Sequence, residues 1–258
     1  MSPKVTIFPD LAALNHAAVQ RWIGLYREAV RERGVFHVAL AGGSTPRQLY
    51  RQLSHPDIAR KVDWERVHIY FGDERSVPCD HPASNYRMAK ESLLDRVPIP
   101  ASHIHRMKTE LDDMGEVARR YEEVLLENLP VSDGGVPLFD LILLGIGPDG
   151  HTASLFPGTD ILNERERFVA AVYVEEKTTW RVSLTFPVID SARHILFLVA
   201  GKDKQQVVKM VLSGTPTSPP LPVQMLHPAG EVEILLDSEA AGEPASGEGE
   251  SPIDPVPA

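Results

Sequence analysis

The sequence predicts an α/β fold, a mostly parallel, doubly wound sheet with helices on both faces. Three observations lead there. Short apolar runs alternate with stretches whose apolar residues recur at helical spacing, as successive βαβ units require. Several runs are apolar without interruption, the pattern of strands covered on both sides. Four of them lead straight into polar, glycine-containing loops, where an open parallel sheet binds its ligands.

Taken in order, residues 5–8 (VTIF) read as a strand, and Asp10 stands where it can cap the helix that follows. Leu11, Leu14, Ala18, Trp22, Leu25 and Ala29 form the apolar stripe of that helix, and Gly34 ends it. Residues 35–40 are the first buried-looking strand. A helix near Pro46 carries Leu49 and Leu53, proline being favoured in a first turn. Residues 67–71 form the next strand, followed by a loop and a helix over 86–94. A long helix over 117–129 precedes 140–144, the most buried-looking strand. Strands at 169–174, 182–184 and 194–200, a helix over 203–212 and a strand over 232–236 complete the pattern.

Residues 1–237 are thus expected to form a single α/β domain. Residues 238–258 carry Glu239, Glu243, Glu248, Glu250 and Asp254 with no Lys or Arg, and Gly, Pro and Ser fill most of the rest. With no hydrophobic period they read as an acidic, disordered tail whose removal leaves folding unchanged.

Composition removes several classes of function. Among 258 residues, 36 are acidic and 26 are Lys or Arg, a formal charge of −10, which argues against nucleic-acid binding through a basic face. The one cysteine, Cys79, excludes an intrachain disulfide. No apolar run approaches the roughly 18 residues of a membrane span, and the first residues lack a secretory apolar segment. The expectation is a cytoplasmic protein without a membrane partner, a monomer or weak homo-oligomer.

The chemistry gathers in four loops: AGGSTP (41–46), GDER (72–75), GIGPDGH (145–151) and GKDK (201–204). Because the strand ends of a parallel sheet point one way, these loops should converge. Together they bring backbone amides, carboxylates, a histidine, an arginine and lysines, an inventory suited to an anionic ligand beside a general acid/base centre. In the first loop, Gly42 and Gly43 let the backbone approach a ligand, and Ser44 and Thr45 stand at a helix start that favours phosphate. No Gly-Lys-Ser/Thr follows, so it is not a nucleotide-triphosphate loop. Read alone, it could equally be a plain strand-to-helix turn.

The third loop fits G-x-G-x-x-G, but Pro148 interrupts the motif and Pro157 soon follows, so a dinucleotide site is rejected. Its glycines instead make room for Asp149 and His151, spaced so that the carboxylate can orient the imidazole as a general base. A surface Asp-Gly turn stays open as the alternative. Asp73, Glu74 and Arg75 are either site residues or a solvated ion-pairing loop. Cys79, Asp80 and His81 have no metal-ligand spacing, so no metal is expected, and His103 and His105 read as structural.

At this point the blocks AGGSTP, FGDERSVPCDHPASNYRMAKESLL (71–94) and LLGIGPDGHTASLFPG (143–158) resemble the 6-phosphogluconolactonases, with a likeness running to about residue 236. The wider family includes the glucosamine-6-phosphate deaminase/isomerases, but the residues at 73–75 and 151–157 stand on the lactonase side. The resemblance implies the fold of the sugar-phosphate isomerase group, no cofactor, and hydrolysis of 6-phospho-D-glucono-1,5-lactone in the oxidative pentose phosphate pathway. It implies His151 as general base, and a phosphate held by Gly43, Ser44 and Lys204 with Arg75 or Arg181 as further cations. Trp180, before Arg181, departs from the small or proline-rich stretch more often found there. Asp73 matches a residue that moves a substrate proton in the isomerases, a step lactone hydrolysis does not need. A deaminase-like enzyme and a non-catalytic sugar-phosphate sensor are the rival readings, and the absence of a basic helix-turn-helix-like segment weighs against a DNA-binding regulator.

Overall fold

The computed structural model describes residues 3–242. Strand β1 (Lys4–Phe8) leads into helix α1 (Leu11–Arg33). Asp10 caps that helix, its carboxylate accepting from the Ala13 amide at 2.7 Å. Gly34 ends it in the left-handed region at φ 79°, donating to the Val30 carbonyl. The strands β2 (Phe36–Leu40), β3 (Val67–Phe71), β5 (Leu141–Leu144), β8 (His194–Val199) and β9 (Glu231–Asp237) join β1 in one six-stranded sheet, ordered β1-β9-β8-β5-β2-β3 and parallel throughout.

Period-2 geometry explains why these strands are apolar on both faces. Val38, Leu40, Leu141, Leu143, Leu196 and Leu198 face one way and pack on α1, on α2 (Ser44–Leu53) and on α4 (Asn85–Ser92), the short α3 (Pro56–Ala59) lying between the last two in sequence. Ala39, Ile142, Leu144, Ile195, Phe197 and Val199 face the other way, toward α5 (Met114–Asn128), α6 (Phe186–Ser191) and α7 (Gln205–Leu212). The doubly wound sheet is therefore as expected.

Two features differ from the expectation. The strand-like runs at 169–174 and 182–184 do not join the main sheet. As β6 (Val169–Val174) and β7 (Thr179–Leu184) they form an antiparallel sheet with β4 (Asp73–Arg75), ordered β4-β7-β6. Residues 73–75 are thus a strand and not a loop. The switch of sheets happens at Gly72, whose amide still bonds the Leu40 carbonyl while its own carbonyl accepts from Leu184.

The second correction concerns residue 238. Ser238–Ala241 form a short helix, α8, capped by Asp237 through the Ala240 amide at 2.8 Å. The Ser238 hydroxyl donates to the Pro9 carbonyl at 2.8 Å, and Ala240 is fully buried. The domain therefore extends beyond residue 237, because a cap and one apolar side chain suffice to dock a single turn. Residues 243–258 of the expected tail lie outside the described residues. A chain ending at Asp237 is expected to lose roughly 1–3 kcal/mol relative to one ending at Gly242, the range for a lost buried hydrogen bond and contact. Thermal melts of the two truncations check this, and coincident curves would show that α8 adds nothing.

The order of the strands positions the site. From β2 the chain moves outward to β3, whereas from β5 it moves the other way to β8 and β9. The connections therefore diverge between the neighbouring strands β2 and β5, and a crevice opens at their carboxyl ends.

Candidate active site

A crevice of about 240 Å³ lies at this switch point. Gly42, Gly43, Ser44, Asp73, Arg75, His151, Arg181 and Lys204 all line it, so residues more than 160 positions apart in sequence meet there. Of the residues expected to bind the substrate or act on it, Asp149 is the one outside the lining, and it touches the crevice through His151.

The loop after β2 presents backbone. No side chain caps α2, so the amides of its first turn are free for a ligand, and Gly43 holds φ 105°, where a side chain is strained. A Cβ at Gly42 would collide with the carboxamide of Asn85, which explains that glycine. Tyr50 of α2 donates to the Ala41 carbonyl at 2.8 Å and holds the loop against its helix. Across the crevice, Lys204 ends a 3-10 turn after β8, paired with the exposed Asp203 at 3.0 Å. The Gly201 amide that starts this turn is anchored on Asp237 at 3.0 Å.

Strand β4 separates its two acids by alternation. Asp73 and Arg75 face the crevice and Glu74 faces away. The Glu74 carboxylate accepts from the amides of Arg75, Asn85 and Tyr86, each at 2.8 Å, and from the Ser84 hydroxyl at 3.0 Å, pinning the start of α4 to β4. Burial pushes its carboxyl up, against the pull of those amides. Asp73 is only 6% exposed, and both its oxygens are engaged, by Asn85 at 3.0 Å and by the Ser154 hydroxyl at 2.7 Å. The Arg181 guanidinium lies 3.8 Å from it. Arg75 donates to the Ala83 carbonyl, yet Nε of both Arg75 and Arg181 is buried without a partner. Two guanidinium groups with unmet donors in one wall are what a bound oxyanion would satisfy.

The loop after β5 carries the titratable pair. His151 Nδ1 lies 2.5 Å from Asp149 Oδ1, which also accepts the His151 amide at 3.2 Å. An ionised carboxylate can only accept, so Nδ1 holds a hydrogen, and in the neutral ring the lone pair is then on Nε2. Burial pushes the Asp149 carboxyl up, but the hydrogen bonds from His151, joined by its charge when the ring is protonated, outweigh it and hold that carboxyl below its usual range. A Cβ at Gly147 would strike both the imidazole and the carboxylate, so glycine is needed there.

Asn85 and Ser154 went unnoticed in the sequence. Each is an ordinary polar residue whose role depends on a partner 12 or 81 positions away. His103 and His105, expected to be structural, lie outside the crevice beside edge strand β3. The His105 amide bonds Ile69 on edge strand β3, His68 stacks on His103 at 4.0 Å, and burial holds His68 and His105 down to about 4. No group of three or more His, Cys, Asp or Glu able to hold a metal occurs among the described residues.

The family model for glucosamine-6-phosphate isomerases/6-phosphogluconolactonase matches residues 9–235. The chain belongs to this family. Within it, a 6-phosphogluconolactonase of Synechocystis is 38% identical, covering 93% of this chain and 98% of the relative. The crystal structure of a 6-phosphogluconolactonase from Leishmania guyanensis superposes with a TM-score of 0.83 at 34% identity, covering 93% and 98% of the two chains. A monomeric glucosamine-6-phosphate deaminase, 23% identical over 93% of this chain and 99% of its own, shares the fold with a TM-score of 0.77.

Proposed function

We propose that this family member hydrolyses 6-phospho-D-glucono-1,5-lactone to 6-phospho-D-gluconate, the lactonase step of the oxidative pentose phosphate pathway, as a cytoplasmic monomer or weak homo-oligomer. The observation that carries the reading is His151 on the crevice wall with Asp149 behind it, sharing the crevice with free amides, two arginines and a lysine. The phosphate rests on the amides of Gly43 and Ser44 and on Lys204, the combination of helix start and cation that suits a dianion. The lactone then lies toward His151.

His151 Nε2 takes a proton from water as its oxygen bonds the lactone carbonyl carbon. The tetrahedral intermediate carries its negative charge on the former carbonyl oxygen, which needs a cationic or amide donor, and Arg75 or Arg181 is the nearest supply. As the ring C–O bond breaks, the imidazolium returns its proton to the departing oxygen, leaving a free hydroxyl and a carboxylic acid that ionises in water. Asp149 holds the working tautomer and stabilises the imidazolium. Buried, with both oxygens bonded, Asp73 serves as the anchor of Arg181. A lactone is an activated ester, so neither a metal nor a serine nucleophile is required.

The test is the disappearance of 6-phosphogluconolactone above its spontaneous rate, measured with and without a chelator. Turnover that survives chelation is expected. A rate equal to background, or release of ammonia from glucosamine 6-phosphate instead, would overturn the reading.

A further inference from the structure

The Asp149–His151 hydrogen bond decides which imidazole nitrogen bears the lone pair, but one bond at Nδ1 leaves the plane of the ring to be set by something else, because χ2 of histidine is broad. Phe156 lies against the face of that ring. The two rings stack with centroids 4.1 Å apart and planes 21° from parallel. The same phenyl ring carries the Arg181 guanidinium, whose carbon lies 5.5 Å from its centroid. Phe156 is itself immobilised, 3% exposed and packed in the core beside the fully buried Leu155.

The backbone is bent to make this stack. Between His151 and Phe156 the chain reverses through a turn closed by the Leu155 amide on the Thr152 carbonyl at 2.9 Å. Ala153 holds φ 48° there, a left-handed conformation that a residue with a Cβ avoids unless its surroundings impose it. The turn also delivers Ser154 to Asp73, which pairs with Arg181. Contacts therefore run in a closed ring, His151 to Phe156 to Arg181 to Asp73 to Ser154, and back through the turn.

We propose that Phe156 is a positioning residue of the reaction: its ring fixes the plane of the general base His151 and its spacing from the Arg181 cation. The inference rests on the lactonase reading for its kinetic consequence and on the stack alone for its spectroscopic one. With the phenyl ring present, Nε2 stays aimed at the water and the carbonyl. Without it, Asp149 still selects the tautomer while the lone pair swings out of line.

The experiment compares Phe156→Leu, which keeps apolar volume but removes the ring, with Phe156→Tyr, which keeps the ring. For the leucine variant kcat is expected to fall about tenfold, the upper end of an aromatic pair's worth, with KM within about twofold because the phosphate contacts are untouched. Phe156→Tyr should stay near wild type. Proton NMR of the His151 ring, assigned by its loss in His151→Gln, should show upfield signals in wild type and Phe156→Tyr that move downfield in Phe156→Leu as the phenyl ring current is removed. Phe156→Met, flexible and ringless, supplies the same readings should the leucine variant not fold. A leucine variant with wild-type kcat, equal losses in the leucine and tyrosine variants, or unmoved His151 signals would each overturn the proposal. If wild type shows no lactone hydrolysis while the ring signals still shift, the failure belongs to the proposed function and the stack stands.

Discussion

His151→Ala is expected to lose on the order of 10² to 10⁴ in kcat with folding retained, the usual contribution of a positioned general base. The imidazole is bound through its edge to Asp149 and through its face to Phe156, and it lines the crevice between α2 and β5. Removing it leaves water without a base while the phosphate contacts on Lys204 and α2 stay intact, so KM should change little. Asp149→Asn is expected to cost less. An amide fills the same space, but its oxygen accepts from Nδ1 without the charge that stabilises the imidazolium, and its NH₂ group can support the wrong tautomer. Single-turnover and steady-state kinetics on both variants, with circular dichroism to confirm the fold, provide the measurement. A His151→Ala enzyme that keeps more than about a tenth of wild-type kcat would remove the histidine from the mechanism, since that loss lies below the general-base range.

Lys204→Ala is expected to act on the other half of the ligand, raising KM roughly 10- to 150-fold with a much smaller change in kcat. A hydrogen bond to a charged group contributes about 1.5–3 kcal/mol, and that range converts to this span of affinity. The phosphate is remote from the scissile bond and is held alike in the ground and transition states, which is why the loss should fall on KM. Asp203, the present partner of Lys204, is mostly exposed and does not compete strongly with a dianion. A large fall in kcat at constant KM would place Lys204 beside the carbonyl and move the phosphate to the arginines.

Much of the site was legible because its signals are local. Glycines next to polar side chains at the ends of apolar runs mark positions where backbone must approach something, and a shared strand direction brings such loops together without further information. Gly42, Gly43, Ser44, Lys204 and the Asp149-x-His151 spacing belong to this class, and so do Asp10 and Gly34 at the ends of α1. The resemblance of three sequence blocks to the lactonases adds roles to these residues, and it alone brings in Arg181.

What the sequence by itself determined, then, was the alternation of strands and helices, the doubly apolar strands of the main sheet, and the loops that meet at its carboxyl edge. The tertiary structure decided which strands pair with which. It turned residues 73–75 from a loop into β4 of a second, antiparallel sheet, sent Glu74 away from the crevice, and docked Ser238–Ala241 that composition had assigned to a tail. It alone showed Asn85 and Ser154 on Asp73, and Phe156 on His151 with Arg181 beside it. Periodicity and capping depend on neighbours within a few residues, so they can be read along the chain. The partners of a buried carboxylate or a catalytic ring are supplied by segments up to 108 positions away, and only the packed fold brings those segments together.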